Sequence, residues 1–184
     1  MTPVAHVIDG LWLAFVAIWL VAAQFNKRTS THAPWKAWVA RLAIIALLVG
    51  VRLHSGGGGP LGAAPGPGRQ WSGAMLVALG LGFAVWARVH LGRNWGMPMS
   101  LRAGHELVTR GPYAYVRHPI YTGILLALLG STVALEPMWG WALVLFFAYF
   151  LYSARAEERM MAEQFPEAYA AYKARTRMLI PFIF

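Results

Sequence analysis

The chain of 184 residues has no cysteine. Disulfides, thiolate catalysis and cysteine zinc sites are therefore excluded. Charge is also scarce: 12% of residues are charged, and seven acidic residues stand against sixteen Lys and Arg. An ordinary soluble domain carries about 25% charged residues, so the composition does not suit one. The run at 80–82 does not complete a G-x-G-x-x-G fingerprint either. "GLG" at 80–82 lacks the third glycine and lies in an apolar run, where small residues serve close helix packing.

What fills the chain is apolar: 58% hydrophobic residues, including nine Trp. The pattern predicts an all-α integral membrane protein in a single domain, 1–184. Five hydrophobic segments are expected, at Ile8–Phe25, Trp38–Val51, Trp71–Val89, Tyr121–Leu135 and Trp139–Tyr152. The first three fall within residues 1–89. The last two are shorter than the roughly 20 residues of a perpendicular span and read as a hairpin, 121–152, turning at Glu136 and Pro137. Between the second and third segments, residues 54–70 are rich in Gly and Pro and read as a flexible connector.

The net charge of +9 is distributed as topology rather than as a nucleic-acid surface. Lys27, Arg28, Lys36 and Arg41 follow the first segment. Arg88, Arg93, Arg102, Arg110 and Arg117 lie around the loop before the fourth, and Arg155, Arg159, Lys173, Arg175 and Arg177 follow the fifth. Only Arg52 and Arg69 remain for the opposite side, which makes the rich side cytoplasmic. The expectation is five crossings, N-terminus outside and C-terminus inside, in the cytoplasmic membrane if the source is bacterial. No Lys or Arg precedes the first run, so it reads as a retained helix rather than a signal peptide.

Two cytoplasmic pieces carry chemistry. The 88–120 loop holds His90, His105, Glu106, Tyr113, Tyr115 and His118. Its histidines lack the close pairs of a zinc site, and no metal is expected. Pro112 and Pro119 fix φ and stiffen "YAYVRH" between them, with Pro119 placed to open a helix. Tyrosine faces there suit an adenine or a cation, and the helix start suits an anion. The second piece, a tail from Ala154 onward, repeats Met161, Phe165, Tyr169 and Tyr172 at helical spacing, with Pro166 expected to kink or restart the helix. Glu157 and Glu158 open that tail, either as a solvated helix face or as a recess for a cationic ligand.

"GHELVTRGPYAYVRHPIYTG" (104–123), "EERMMAEQFPEAYAAYKAR" (157–175) and the closing "LIPFIF" together resemble the isoprenylcysteine carboxyl methyltransferase family and its phospholipid methyltransferase relatives. The resemblance covers the C-terminal half, 90–184. It implies an S-adenosylmethionine-dependent membrane methyltransferase, releasing S-adenosylhomocysteine and acting on an amphiphilic acceptor. By similarity His105, Glu106, Leu107, Val108, Tyr113, His118, Pro119, Ile120 and Tyr121 line the donor site, and Glu157 contacts the donor. Arg117 suits the donor's carboxylate. For the acceptor, Glu158 and His118 are the candidate bases, and Arg155 is the nearest match to an arginine the animal enzymes use near substrate. Two departures stand out: Phe165-Pro166 replaces the family's F-G, and Arg155 is shifted by about two positions. Phospholipid or amine N-methylation is the alternative activity, and a non-catalytic membrane interaction protein the alternative of another class.

Overall fold

The computed structural model describes residues 2–24, 65–92, 95, 106–135 and 139–180. Five helices lie in this set: α1 (Pro3–Ala23), α2 (Pro67–Leu91), α3 (Pro119–Ala134), α4 (Trp139–Gln164) and α5 (Pro166–Arg175), with a 3-10 turn at Gly111–Ala114. The expected segment Trp38–Val51 lies outside the described residues, as do Glu136 and Pro137. Among the described residues no strand forms, and a single parallel bridge joins Val116 to Arg177.

Prolines set the helix starts. Pro3, Pro67, Pro119 and Pro166 each occupy a first turn, where a missing N–H removes no helical hydrogen bond. Thr2 caps α1 by accepting from the Ala5 N–H at 3.3 Å. This is why α1 begins five residues before the hydrophobic run, and why α2 begins inside the expected Gly/Pro connector. The α2 start is secured further: the Gln70 amide donates to the Pro65 carbonyl at 2.6 Å, and Arg69 Nε to the Val133 carbonyl at 2.9 Å.

The core pair is α2 against α3, antiparallel, with backbones touching at two glycine crossings. A Cβ on Gly80 would lie 2.5 Å from the Gly123 carbonyl oxygen, and one on Gly73 would lie 2.6 Å from that of Gly130. Small residues bring the backbones this close where lipid offers no competing hydrophobic drive. Gly82, the other glycine of "GLG", meets nothing within 4 Å. On this pair α1 lays Val4, Ile8 and Phe15, joined to Ala74, Val77, Leu81, Ala84, Ala127 and Ala134. Its other side leaves Leu13, Leu20 and Val21 exposed.

Among the described residues, two helices are long and apolar enough to cross a membrane, Pro3–Ala22 and Pro67–Leu91, and Pro119–Ala134 is a shorter apolar helix. The expected fifth segment stops at Tyr152, yet α4 continues unbroken to Gln164. At 1.5 Å per residue α4 is about 39 Å long, so its last three turns project beyond the apolar stretch. Good helix formers with no Gly or Pro carry it through (Ala154 to Gln164), and it ends only before Pro166. Glu157 and Glu158 thus stand on a rigid helix rather than on a tail. The expected restart at Pro166 is observed: α5 begins there and buries Tyr169 and Tyr172.

Candidate active site

The segment 115–118 is paired along one side with residues 177–178. The Arg177 N–H donates to the Tyr115 carbonyl at 3.2 Å, the Arg117 N–H to Arg177 at 2.8 Å, and the His118 N–H to Met178 at 3.1 Å. The Thr122 hydroxyl adds a bond to the Leu179 carbonyl at 2.6 Å. The closing residues therefore form a strap along the start of α3. The backbone N–H groups of Arg117 and His118, just before α3, are taken by this strap.

Below the strap, Arg117 reaches the end of α4. Its Nε donates to Glu158 Oε1 at 2.6 Å and its Nη1 to the Thr176 carbonyl at 2.6 Å. Both side chains of the ion pair are nearly closed to solvent, at 7% and 6% exposure. Lys173, on α5, meets the other oxygen of Glu158 at 3.0 Å from an exposed position. Thr176 is itself buried and its hydroxyl bonds the Tyr172 carbonyl at 2.7 Å. Arg117 so ties the loop, α4 and the α5 end together. Two of its donor groups are committed within the protein, where a role at the donor's carboxylate had been expected.

His118 lies between the two glutamates: Nδ1 is 3.5 Å from Glu157 Oε2, and Nε2 is 3.6 Å from Glu158 Oε1. Its ring is stacked on Tyr121 at 5.4 Å, and Tyr121 is stacked on Phe150 at 4.3 Å, all three nearly parallel. Offset stacking of this kind adds about 1 kcal/mol per pair beyond area burial. The Tyr121 hydroxyl donates a short hydrogen bond to Glu157 Oε1. Glu157 keeps 24% side-chain exposure, so the column of rings ends at a carboxylate that solvent reaches.

The electrostatics separate the two glutamates. Burial by itself would raise Glu158, but hydrogen bonds from His118, Arg117 and Lys173 outweigh it and pull its carboxyl down to about 2. Burial would lower His118, but the bonds and charges of Glu157 and Glu158 win and raise it above the ordinary histidine value. Tyr113, Tyr169 and Tyr172 are pushed up chiefly by burial and stay protonated. Glu158 is thereby held as a carboxylate committed to its ion pairs rather than poised as a base near neutral pH.

The remaining candidates divide. Tyr113 is buried in the 3-10 turn, and the Tyr172 hydroxyl donates to its carbonyl at 2.7 Å. Pro119 and Ile120 are buried at the α3 start, and Val108 packs against the cluster of Tyr113, Ile120, Tyr121 and Phe150. Leu107 is half-buried and Glu106 exposed, while His105 lies outside the described residues. Arg155 is exposed, and the ion pairs to Glu158 come from Arg117, His118 and Lys173 instead. It sits two residues before Glu157, on nearly the opposite side of α4. His90 packs edge-on to Trp86 and against Gly111, whose φ of 61° and close approach to the ring exclude a side chain there.

Sequence reasoning missed Phe150, Lys173 and Thr176, whose contacts depend on how three segments fold back. It also counted Arg88 only as a cytoplasmic charge. Arg88 is buried, donating to Ala22 at 2.8 Å and Gly92 at 2.6 Å, with its guanidinium 5.0 Å from the Trp95 ring. A cation at the ends of both α1 and α2 is where helix dipoles favour one. Its position, three residues before the end of an apolar helix, was the available signal.

The fold and this site define a class. The phospholipid methyltransferase family model matches residues 69–168, over half of the chain, and the chain belongs to that family. The eukaryotic intramembrane Ras methyltransferase ICMT has the same fold: TM-score 0.56 at 20% identity, over 84% of this chain and 55% of that one. The cobalt-zinc-cadmium resistance protein CzcN of Cupriavidus metallidurans is 36% identical over 60% of this chain and 51% of its own length. Protein-S-isoprenylcysteine O-methyltransferase B of Arabidopsis thaliana is 29% identical over 65% of this chain and 64% of its own. The chain thus spans about half the length of CzcN, the first of these relatives.

Proposed function

We propose that the chain is an S-adenosylmethionine-dependent membrane methyltransferase that esterifies a carboxylate on an amphiphilic, isoprenylcysteine-like acceptor. One observation carries this reading: Glu157 stands at the solvent end of the His118–Tyr121–Phe150 column while Glu158 is neutralised behind it. A carboxylate beside aromatic faces suits a ligand that carries an ammonium and a sulfonium. The donor supplies a methyl already activated by its sulfonium. Glu157 and Tyr121 would hold its cationic end, with Tyr113 and the 106–108 segment completing the wall.

The chain's own residues then bind and orient rather than move protons. Glu158 is held as an anion by its cationic partners Arg117 and Lys173, and the two carboxylates beside His118 favour its protonated form. With Glu158 committed to its ion pairs, an acceptor already ionised at neutral pH, as a carboxylate is, is favoured because it has no proton to lose. Burial of the stacked rings excludes water from the reacting centre. The proposed topology is five crossings with the site on the cytoplasmic face. Single cysteines placed in this cysteine-free chain test it: labelling of Glu163→Cys from outside intact cells would overturn it.

A second reading, N-methylation of a phospholipid amine, draws on the family's description. The two separate cleanly. Membranes holding the protein are incubated with methyl-labelled donor, and the extracted product is treated with mild base. A methyl ester releases labelled methanol, as proposed. Label that resists base would replace the first reading with the second.

A further inference from the structure

One hydroxyl in the helical core stands apart. Serines and threonines inside helices ordinarily bond a carbonyl one turn back, and here they do so. Ser72 donates to Arg69, Thr122 to His118, Ser131 to Ala127 and Thr132 to Leu128, at 2.9–3.2 Å. Ser153 does not. It is fully buried at 0% exposure, and among the described residues its Oγ has no hydrogen-bond partner. A buried hydroxyl left unpaired is destabilising, and native structures pair the great majority of such groups.

Its place on α4 gives the anomaly a direction. Ser153 is three residues after Phe150 and four before Glu157, so the three share one helix face. Phe150 stacks on Tyr121, and Glu157 accepts from the Tyr121 hydroxyl. Ser153 therefore lies along the same column, about 6 Å deeper than Glu157 on the apolar side of the helix. His118 Nε2, at the other end of the column, faces Glu158 Oε1 at 3.6 Å, beyond hydrogen-bond distance. The Phe150–Ala154 part of this cluster is built with the apolar side chains of Ala87, Ile120 and Leu179 and the rings of Tyr113 and Tyr121.

We infer that Ser153 is a binding residue, its hydroxyl reserved for an uncharged hydrogen-bonding group of a bound ligand. Apolar surroundings disfavour a charged group, and a single hydroxyl satisfies one neutral donor or acceptor. The inference rests on the methyltransferase reading, which offers two sources for such a group. One is the nucleoside of the donor; the other is a carbonyl or amide of the acceptor.

The test is Ser153→Ala in the full chain, which removes the orphan hydroxyl without adding bulk. Three quantities are read: the melting temperature of the ligand-free protein, affinity for S-adenosylhomocysteine by calorimetry, and KM for an N-acylated isoprenylcysteine. Freed of an unpaired group, the variant is expected to melt about 2 °C higher. It should also bind one ligand about five- to tenfold more weakly. Weaker S-adenosylhomocysteine binding assigns the group to the donor; a raised KM with unchanged calorimetry assigns it to the acceptor. Wild-type ligand affinities retained in Ser153→Ala would overturn the inference while leaving the methyltransferase reading intact. A wild-type protein that binds neither probe would overturn both.

Discussion

Replacing Arg117 with Met removes the cation that joins three segments. Its partner Glu158 is 6% exposed and would stay buried with only His118 and the solvent-exposed Lys173 beside it. Breaking a buried pair by deleting one partner costs about 3–5 kcal/mol, and the lost bond to the Thr176 carbonyl adds roughly 1 kcal/mol. In a chain of this size that corresponds to a fall of about 10 °C in melting temperature. Lys173→Ala removes another ion pair of the same carboxylate, but from an exposed partner, and should cost about 1 kcal/mol or less. Arg117→Met/Glu158→Leu removes both buried charges and should recover much of the loss, because no uncompensated carboxylate remains. The assay is thermal unfolding in detergent followed by tryptophan fluorescence. Equal losses for Arg117→Met and Lys173→Ala would refute the view of Arg117 as the hub.

Two further outcomes follow from the geometry. Glu158 has a folded pKa of about 2 against 4.5 for the free group, so the unfolded chain binds more protons between these values. Its contribution is present above about pH 4.5 and is lost as pH falls toward 2. Acid unfolding followed by circular dichroism should therefore begin at higher pH in Arg117→Met than in wild type, and coincident curves would contradict this. At the helix crossing, Gly123→Ala puts a Cβ 2.5 Å from the Gly80 carbonyl oxygen and 2.8 Å from the Ala84 nitrogen. Backbone atoms cannot step aside cheaply, so a loss of at least about 2 kcal/mol is expected. Gly82→Ala, with open space around it, should be neutral or gain up to about 1 kcal/mol from helix propensity. Melting temperatures that fail to separate the two variants would refute the close backbone contact.

Much of the fold was legible because lipid-facing helices announce themselves by composition. The runs at Ile8–Phe25, Trp71–Val89 and Tyr121–Leu135 each overlap an observed helix, shifted where Thr2, Pro3 and Pro67 set earlier starts. Hydropathy misjudged α4, because it reports where the apolar stretch ends and not where the helix does. In the site, the prolines and the Glu-Glu pair marked the two halves that the structure brings together. The roles within the pair were not legible. Which carboxylate is paired depends on Lys173 of α5 and on Thr176 just beyond it, brought beside 115–118 by the returning chain, and long-range pairing leaves no local periodicity to read. Arg155, already shifted by about two positions from the family's pattern, is exposed.

The central claim is that Glu157 is the carboxylate that meets the donor. Calorimetry of S-adenosylhomocysteine against purified wild type and Glu157→Gln tests it directly. Binding to wild type, weakened about ten- to hundredfold in Glu157→Gln by loss of a charged partner for the ligand's amino group, is the predicted result. Equal affinity in the two proteins, or no binding to wild type, would contradict it.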